Sequence, residues 1–164
     1  MKDNKKVVYW LLTGCFLIFV MVVVGGITRL THSGLSISNY KLITGTLPPS
    51  GEAEWNEAFE LYKQYPEYQK INYNMTLEEF KDIYFWEWIH RVIGRFIGVV
   101  FIIPFLYFLL RKQLTKPTIK KAVILMALGA FQGFLGWYMV KSGLVDRPDV
   151  SHFRLAMHLT TAFI

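Results

Sequence analysis

The sequence predicts an all-α integral membrane protein built as a four-helix transmembrane bundle. Of its 164 residues, 53% are hydrophobic and 18% are charged, whereas a soluble domain usually carries about 25% charged residues. The hydrophobic residues stand in long blocks. Basic residues cluster beside those blocks, as they do in the loops of membrane proteins. The net charge of +6 is therefore interpreted as a topology signal and not as a nucleic-acid-binding surface.

The first hydrophobic block, residues 7–27, predicts a transmembrane helix. Its 21 residues match the roughly 20 that cross a bilayer core. A cleaved signal peptide is the alternative, but its hydrophobic core is shorter and ends in a small-residue cleavage site. This block instead ends in Gly25, Gly26, Ile27, Thr28 and Arg29, so we interpret it as a retained span.

Three further spans are predicted, at residues 84–110, 122–140 and 151–164. The last has only 14 residues, which extend about 21 Å as a helix against a core of about 30 Å. We therefore expect the fourth helix to be truncated at Ile164. The whole chain, residues 1–164, is interpreted as one domain with a long outer segment at residues 28–83.

The basic residues predict that the N-terminus is cytoplasmic. Three lysines precede the first span, and the loop at 111–121 has five basic residues and no acid. Both belong on the cytoplasmic side by the positive-inside rule. The outer segment then lies outside. Within it, residues 52–65 predict an amphipathic helix, and the sequence from Thr76 to Glu79 is a capping box for a helix that continues into the second span.

The second span carries ionisable residues, which are costly in a membrane and need a reason. Glu87 and His90 are three residues apart, so they share a helix face. His90, Gly94 and Gly98 form one stripe on the helix. A flat ring fits such a groove, but the glycines alone favour helix packing.

A second histidine lies at a matching depth. His90 follows Tyr84 by six residues, and His158 follows His152 by six, so each lies about 9 Å inside the outer end of its helix. Paired imidazoles at one depth are typical of six-coordinate heme in a helical bundle. Propionates would then need cations, for which the candidates are Arg29, Arg91, Arg95 and Arg154.

Structural interpretations of these residues stay open. From the residues alone, heme ligation and hydrogen-bonded packing of the two histidines are equally favoured. Glu87 and Arg91 are four residues apart and can neutralise each other. Gln132 favours an interhelical hydrogen bond over a catalytic role. The single cysteine, Cys15, is interpreted as a packing residue.

Five parts of the sequence together resemble the heme A synthase family. In this order and at these spacings the match is specific, and it covers nearly the whole chain. It is closest to the branch shared by many Gram-negative bacteria and mitochondria. The matching strings lie at 25–36, 44–49, 87–91, 132–144 and 154–159.

The resemblance implies an eight-helix protein of two similar four-helix halves, with this chain as the N-terminal half. The family oxidises the C8 methyl of heme O to a formyl group, through successive hydroxylations and a hydrate, and so makes heme A for cytochrome oxidase. One half carries a heme b cofactor, and the half that this chain resembles takes the substrate heme. The residues that match the family's ligands are His90 and His158, and Glu87 matches its catalytic acid.

The resemblance also implies a location and partners. We expect a multi-pass protein of the bacterial inner membrane that contacts lipid, heme O, the enzyme that makes heme O, and an electron donor. Nucleic acid is not expected, and self-association stays open. The chain departs from the family at Tyr40 and Leu42, where Trp and Pro are frequent. Without the second half, the 164-residue fragment is expected to be inactive.

Two other functions compete with heme A synthesis. A non-catalytic b-type cytochrome subunit would also use paired histidines, but it has no need for Glu87 one turn from a ligand. A transporter or assembly module would use the Glu87–Arg91 pair without any heme. An absorbance spectrum separates this last class from the other two.

Overall fold

The computed structural model describes residues 5–37, 47–144 and 148–163. Within those ranges the chain is all-helical, as predicted. The helices are α1 (Lys5–Leu30), α2 (Gly51–Tyr62), α3 (Pro66–Lys70), α4 (Leu77–Leu110), α5 (Lys116–Gly143) and α6 (His152–Ala162). Three of them, α1, α4 and α5, are long and apolar enough to cross a membrane. Helix α6, at the fourth predicted span, has 11 described residues, so a fourth crossing stays a prediction.

Helix α4 begins where the capping box predicts. The Glu79 amide donates to the Thr76 hydroxyl at 3.3 Å, and the Thr76 amide donates to the Glu79 carboxylate at 2.7 Å. These two bonds satisfy amides that a helix start leaves without partners. From there α4 continues without a break to Leu110, so a single helix joins the end of the outer segment to the second span.

The amphipathic helix predicted at residues 52–65 is present as α2 and ends three residues earlier than predicted; a second short helix, α3, follows it and was not predicted. Helix α2 ends at Tyr62, and α3 begins at Pro66. Tyr65 is extended, with ψ of 152°, because a residue that precedes proline avoids the helical conformation. The predicted face is otherwise correct, since Trp55, Phe59 and Tyr62 all pack towards the start of α4.

Helix α4 lies at the centre of the packing, with α1, α5 and the short α2 against it, while α6 packs on α5. One end of the helices is held by buried hydrophobic side chains that we call the α1–α4–α5 core. There the Trp10 indole donates to the Val100 carbonyl at 3.1 Å, which fixes the depth of α1 along α4. The buried members of this core are Val7, Trp10, Phe105, Phe108 and Ala122.

A short buried loop after α1, residues 33–37, joins three helices. The chain leaves α1 through His32, whose φ of +52° lies in the left-handed region, and the Ser33 amide donates back to the Thr28 carbonyl at 3.0 Å. Leu35, only 2% exposed, reaches the last residue of α5, where a Cβ on Gly143 would lie 2.6 Å from it. A side chain at position 143 would therefore have to displace the end of the Leu35 side chain.

Parts of the predicted family match lie outside the described residues. They include Tyr40 and Leu42, the first part of the string at 44–49, and the final residue of the predicted fourth span.

Candidate functional site

The carboxylate of Glu87 is buried, and both of its oxygens accept hydrogen bonds. The residue is 2% exposed. Its Oε2 accepts hydrogen bonds from the Ser36 hydroxyl at 2.7 Å and from the Ile37 amide at 2.8 Å. Its Oε1 accepts a short hydrogen bond from Arg91 Nη2. The ion pair that the spacing allowed is therefore formed, and Glu87 also ties the buried loop to α4.

Arg91 completes the same connection from the other side. Its Nη2 donates to the Ile37 carbonyl at 3.1 Å as well as to Glu87. Because Ile37 is held through both its amide and its carbonyl, the end of the loop is fixed one turn of helix above His90. This buried charged pair is tolerated because each of its two charges has hydrogen-bonding partners.

The imidazole of His90 lies against α1 at a glycine. The nearest atom to a Cβ built on Gly25 is His90 Nε2, at 3.3 Å. One turn along α4, Gly94 faces the methyl end of Met21, also on α1, whereas Gly98 has open space around it. Helix packing therefore occupies the predicted groove at Gly94 but not at Gly98.

His158 has a matching environment on α5. A Cβ on Gly136 would lie 3.2 Å from His158 Cε1. The main chain of α6 is held at the same level, because the Gln132 amide donates to the His158 carbonyl at 2.6 Å and accepts from the Thr161 hydroxyl at 2.7 Å. Gln132 thus makes the interhelical hydrogen bond that was predicted for it.

The two histidines are 68 positions apart in the chain, and they lie on α4 and α6. Both of these helices pack against α5, so α5 links the helix of His90 to that of His158. The equal depth of the two histidines stays a prediction.

The four arginines that are candidates for binding the propionates differ in their contacts and exposure. Arg91 is committed to Glu87 and the buried loop. Arg154 donates to the Tyr138 carbonyl at 2.9 Å and stacks on its ring at 3.8 Å. Arg29 is exposed in the last turn of α1. Arg95 has a buried Nη1 without a hydrogen-bond partner among the described residues, so it is the candidate with the strongest need for an anion.

These residues fit a heme in two respects. His158 Nδ1 is buried without a hydrogen-bond partner among the described residues, so that atom is not committed to a hydrogen bond there. Each imidazole lies against a glycine, in a space that a Cβ would fill. Heme in a helical bundle is commonly held by two histidines.

Some residues of this site were missed by the sequence reasoning. Ser36 and the main chain of Ile37 bind Glu87 across 51 and 50 positions of sequence. The contacts of Gly25 with His90 and of Gly136 with His158 were also missed. The only signal for Gly25, Ser36 and Gly136 was their position inside the matching strings at 25–36 and 132–144, and Ile37 directly follows the first of these strings.

Comparison with known proteins gives a consistent family. A family model described as cytochrome oxidase assembly protein matches residues 8–164. The chain is 66% identical to the heme A synthase of Flavobacterium psychrophilum, over 100% of this chain and 49% of that protein. It is 62% identical to the heme A synthase of Flavobacterium johnsoniae, over 99% and 48%. It is 54% identical to that of Rhodospirillum centenum, over 98% and 43%. No solved structure matches. The chain spans about half the length of the curated relatives it matches.

Proposed function

The chain belongs to the cytochrome oxidase assembly protein family, and on that basis we propose that the protein containing it is a heme A synthase. Its reaction would oxidise the C8 methyl of heme O to a formyl group. In this proposal the described chain binds the substrate heme, while a heme b cofactor belongs to the other half. The observation that supports heme binding here is the pair of imidazoles on α4 and α6, each of which lies against a glycine of a neighbouring helix.

His90 and His158 would hold the iron of the substrate heme. Ligation from two helices fixes the ring within the bundle and hence fixes which edge of it meets the reacting groups. The propionates would be met by arginines. Arg95 supports this role through its unpartnered Nη1, and Arg154 supports it through its position one turn from His158. Iron in a ring so held supplies redox chemistry, while the chain supplies position and charge.

Glu87 is the proposed catalytic acid, since it lies one turn from His90. It would accept a proton as the C8 substituent is oxidised, or would position the hydrate that loses water. Both oxygens of Glu87 already accept hydrogen bonds. A carboxylate offers about four lone-pair positions, and the hydrogen bonds from the described residues use three of them, so Oε1 keeps a position that can accept a proton. The structural alternative keeps all three partners and makes Glu87 the anchor of the buried loop.

Substitution of the histidines tests heme binding. In the full-length protein, His90→Ala and His158→Ala should each remove the low-spin signal of the N-terminal heme or convert it to high spin, because one axial ligand is lost. Heme A formation, followed by pigment extraction and chromatography, should stop in both. Unchanged spectra in both variants would exclude these residues as ligands. A low-spin heme without any conversion of heme O in the wild-type protein would instead identify a b-type cytochrome.

We also propose that the outer segment faces away from the cytoplasm, as the distribution of basic residues predicts. In a Cys15→Ser background, Asn56→Cys should react with a membrane-impermeant maleimide on spheroplasts. Gln113→Cys, in the basic loop after α4, should react only after the membrane is opened. Both positions are exposed, so accessibility does not limit the reaction. The reverse labelling pattern would contradict the proposed orientation.

A further inference from the structure

We propose that Gly25 and Gly136 are positioning residues, each acting as the seat that sets the orientation of one ligand imidazole. The inference rests on the proposed heme-binding function of His90 and His158. It assigns a role to two glycines on α1 and α5, helices that carry no ligand themselves. Each glycine would act through the histidine on the neighbouring helix, without touching the iron.

The contact of Gly25 with His90 is close and specific. A Cβ at position 25 would lie 3.3 Å from Nε2 and 3.6 Å from Cδ2 of His90, so it would press on the ring edge that carries a ligating nitrogen. The next residue, Gly26, has nothing within 4 Å of its Cβ position. Two adjacent glycines of one helix therefore differ in whether a methyl group would meet the histidine.

The same contrast appears on α5. A Cβ on Gly136 would lie 3.2 Å from Cε1, 3.7 Å from Nδ1 and 3.8 Å from Nε2 of His158. Gly133, almost one turn earlier on α5, has no neighbour within 4 Å. The two ligand candidates thus share an arrangement that was built twice, from different helix pairs, within one bundle.

The contacts of Gly25 and Gly136 with the two imidazoles differ from ordinary helix packing. Gly94 shows the packing case, because its Cβ would lie 3.3 Å from the terminal methyl of Met21. That distance equals the one at Gly25, but the end of a methionine side chain moves aside at little cost. An imidazole fixed at its Cα by the helix and at its nitrogen by iron has no such freedom. A methyl group at position 25 or 136 must therefore tilt the ring or lengthen its bond to iron.

The experiment compares five variants of the full-length protein. Gly25→Ala and Gly136→Ala test the seats, Gly26→Ala and Gly133→Ala are the open-space controls, and Gly94→Ala is the control with equal crowding but a flexible neighbour. The signal of the N-terminal heme is defined as the part lost in His90→Ala. Its electron paramagnetic resonance spectrum and reduction potential report the orientation and strength of the axial ligands, and heme retention reports affinity.

The seat variants should shift the low-spin resonance, change the potential and bind the N-terminal heme about tenfold more weakly, equivalent to about 1.4 kcal/mol. The three controls should keep the wild-type spectrum. Wild-type spectra in Gly25→Ala and Gly136→Ala, while His90→Ala loses part of the low-spin spectrum, would overturn the seats alone. A complete wild-type spectrum in His90→Ala would overturn the proposed ligation and the seats together.

A second measurement covers the case in which a seat variant fails to fold. Removing the ring in His90→Gly relieves the crowding, so His90→Gly and the double variant His90→Gly with Gly25→Ala should accumulate equally. Added imidazole should restore the low-spin signal in the single variant, because the seat is vacant. It should do so much less in the double variant, where the new methyl group occupies that space. Equal rescue of both would overturn the proposal for Gly25.

Discussion

The outer segment and the membrane helices bury their side chains in opposite ways. At the outer end, α2, α3 and the start of α4 close on an aromatic core of Phe59, Tyr62 and Phe80, and the last two are 0% exposed. Along the spans, large hydrophobic residues face outward; Phe19, for example, is 65% exposed. The first region is stabilised as a small soluble domain is, while the second presents the surface that a bilayer covers.

The two regions contribute to the candidate site in different ways. Within the spans, hydrogen bonds between helices hold some of the polar groups, such as that from the Gln132 amide to the His158 carbonyl. The aromatic core packs around the start of α4, and α4 carries both Glu87 and His90 further along. The aromatic core therefore supports the helix that carries the site, while the outer segment contributes Ser36 and Ile37 as partners of Glu87.

The largest expected effect comes from cutting the aromatic core. Phe80 is 0% exposed and stacks with Phe59 and Tyr62 at centroid distances of 5.0 and 5.1 Å. Phe80→Ala should destabilise the protein by about 3–5 kcal/mol, the usual cost of such a cavity. Phe96→Ala, on the same helix but 51% exposed, is the matched control. Thermal unfolding in detergent measures both, and equal losses would contradict the contrast between the two regions.

The tie between the buried loop and α4 should give the next largest effect. Arg91→Gln leaves the buried Glu87 carboxylate without its counter-charge and should cost about 3 kcal/mol. Ser36→Ala, which removes one neutral donor, should cost about 1 kcal/mol. The two variants separate charge pairing from hydrogen bonding at one carboxylate, and folded yield and thermal unfolding report both.

Glu87→Gln distinguishes catalysis from anchoring in the same protein. If Glu87 is catalytic, this variant should fold and bind heme, while conversion of heme O to heme A falls and a hydroxylated product accumulates. If Glu87 is only the anchor, its yield should fall, and the double variant with Arg91→Gln should recover it. Normal heme A formation by a well-folded Glu87→Gln protein would exclude the catalytic role.

The sequence predicted what local rules determine. The start of α4 followed from the capping box at Thr76, and α3 was missed because Pro66 was not considered as a helix start. The pairing of Glu87 with Arg91 followed from a spacing of four. The contacts of Glu87 with Ser36 and Ile37 could not be predicted, because they join positions about 50 apart. The glycine contacts likewise depend on how α1 crosses α4 and α5 meets α6.

A buried carboxylate in the outer segment was also missed, because Glu67 resembles one more surface acid in a polar stretch. It is 6% exposed, and its Oε2 accepts a hydrogen bond from the Tyr62 hydroxyl at 3.0 Å, which also accepts one from the Asn72 amide at 2.8 Å. Burial raises the pKa of Glu67 to about 7, against an ordinary value of 4.5. Burial likewise raises the pKa of Tyr62. The region around the aromatic core thus contains a carboxyl group whose protonation changes near neutral pH.

This raised pKa predicts a pH dependence of stability whose direction is opposite to that of most surface acids. Because the folded state holds the proton more tightly, stability from this group is complete below about pH 4.5 and is lost as pH rises through about 7. Glu67→Gln keeps a neutral acceptor for Tyr62 and should therefore be more stable than wild type at pH 8, by on the order of 2 kcal/mol, and nearly equal at pH 4.5. Glu60→Gln, which alters only an exposed pair with Lys63, should show little change at either pH. Thermal unfolding of the detergent-solubilised protein across this range measures the difference. A constant offset between Glu67→Gln and wild type at all pH values would show that Glu67 does not change protonation within the core.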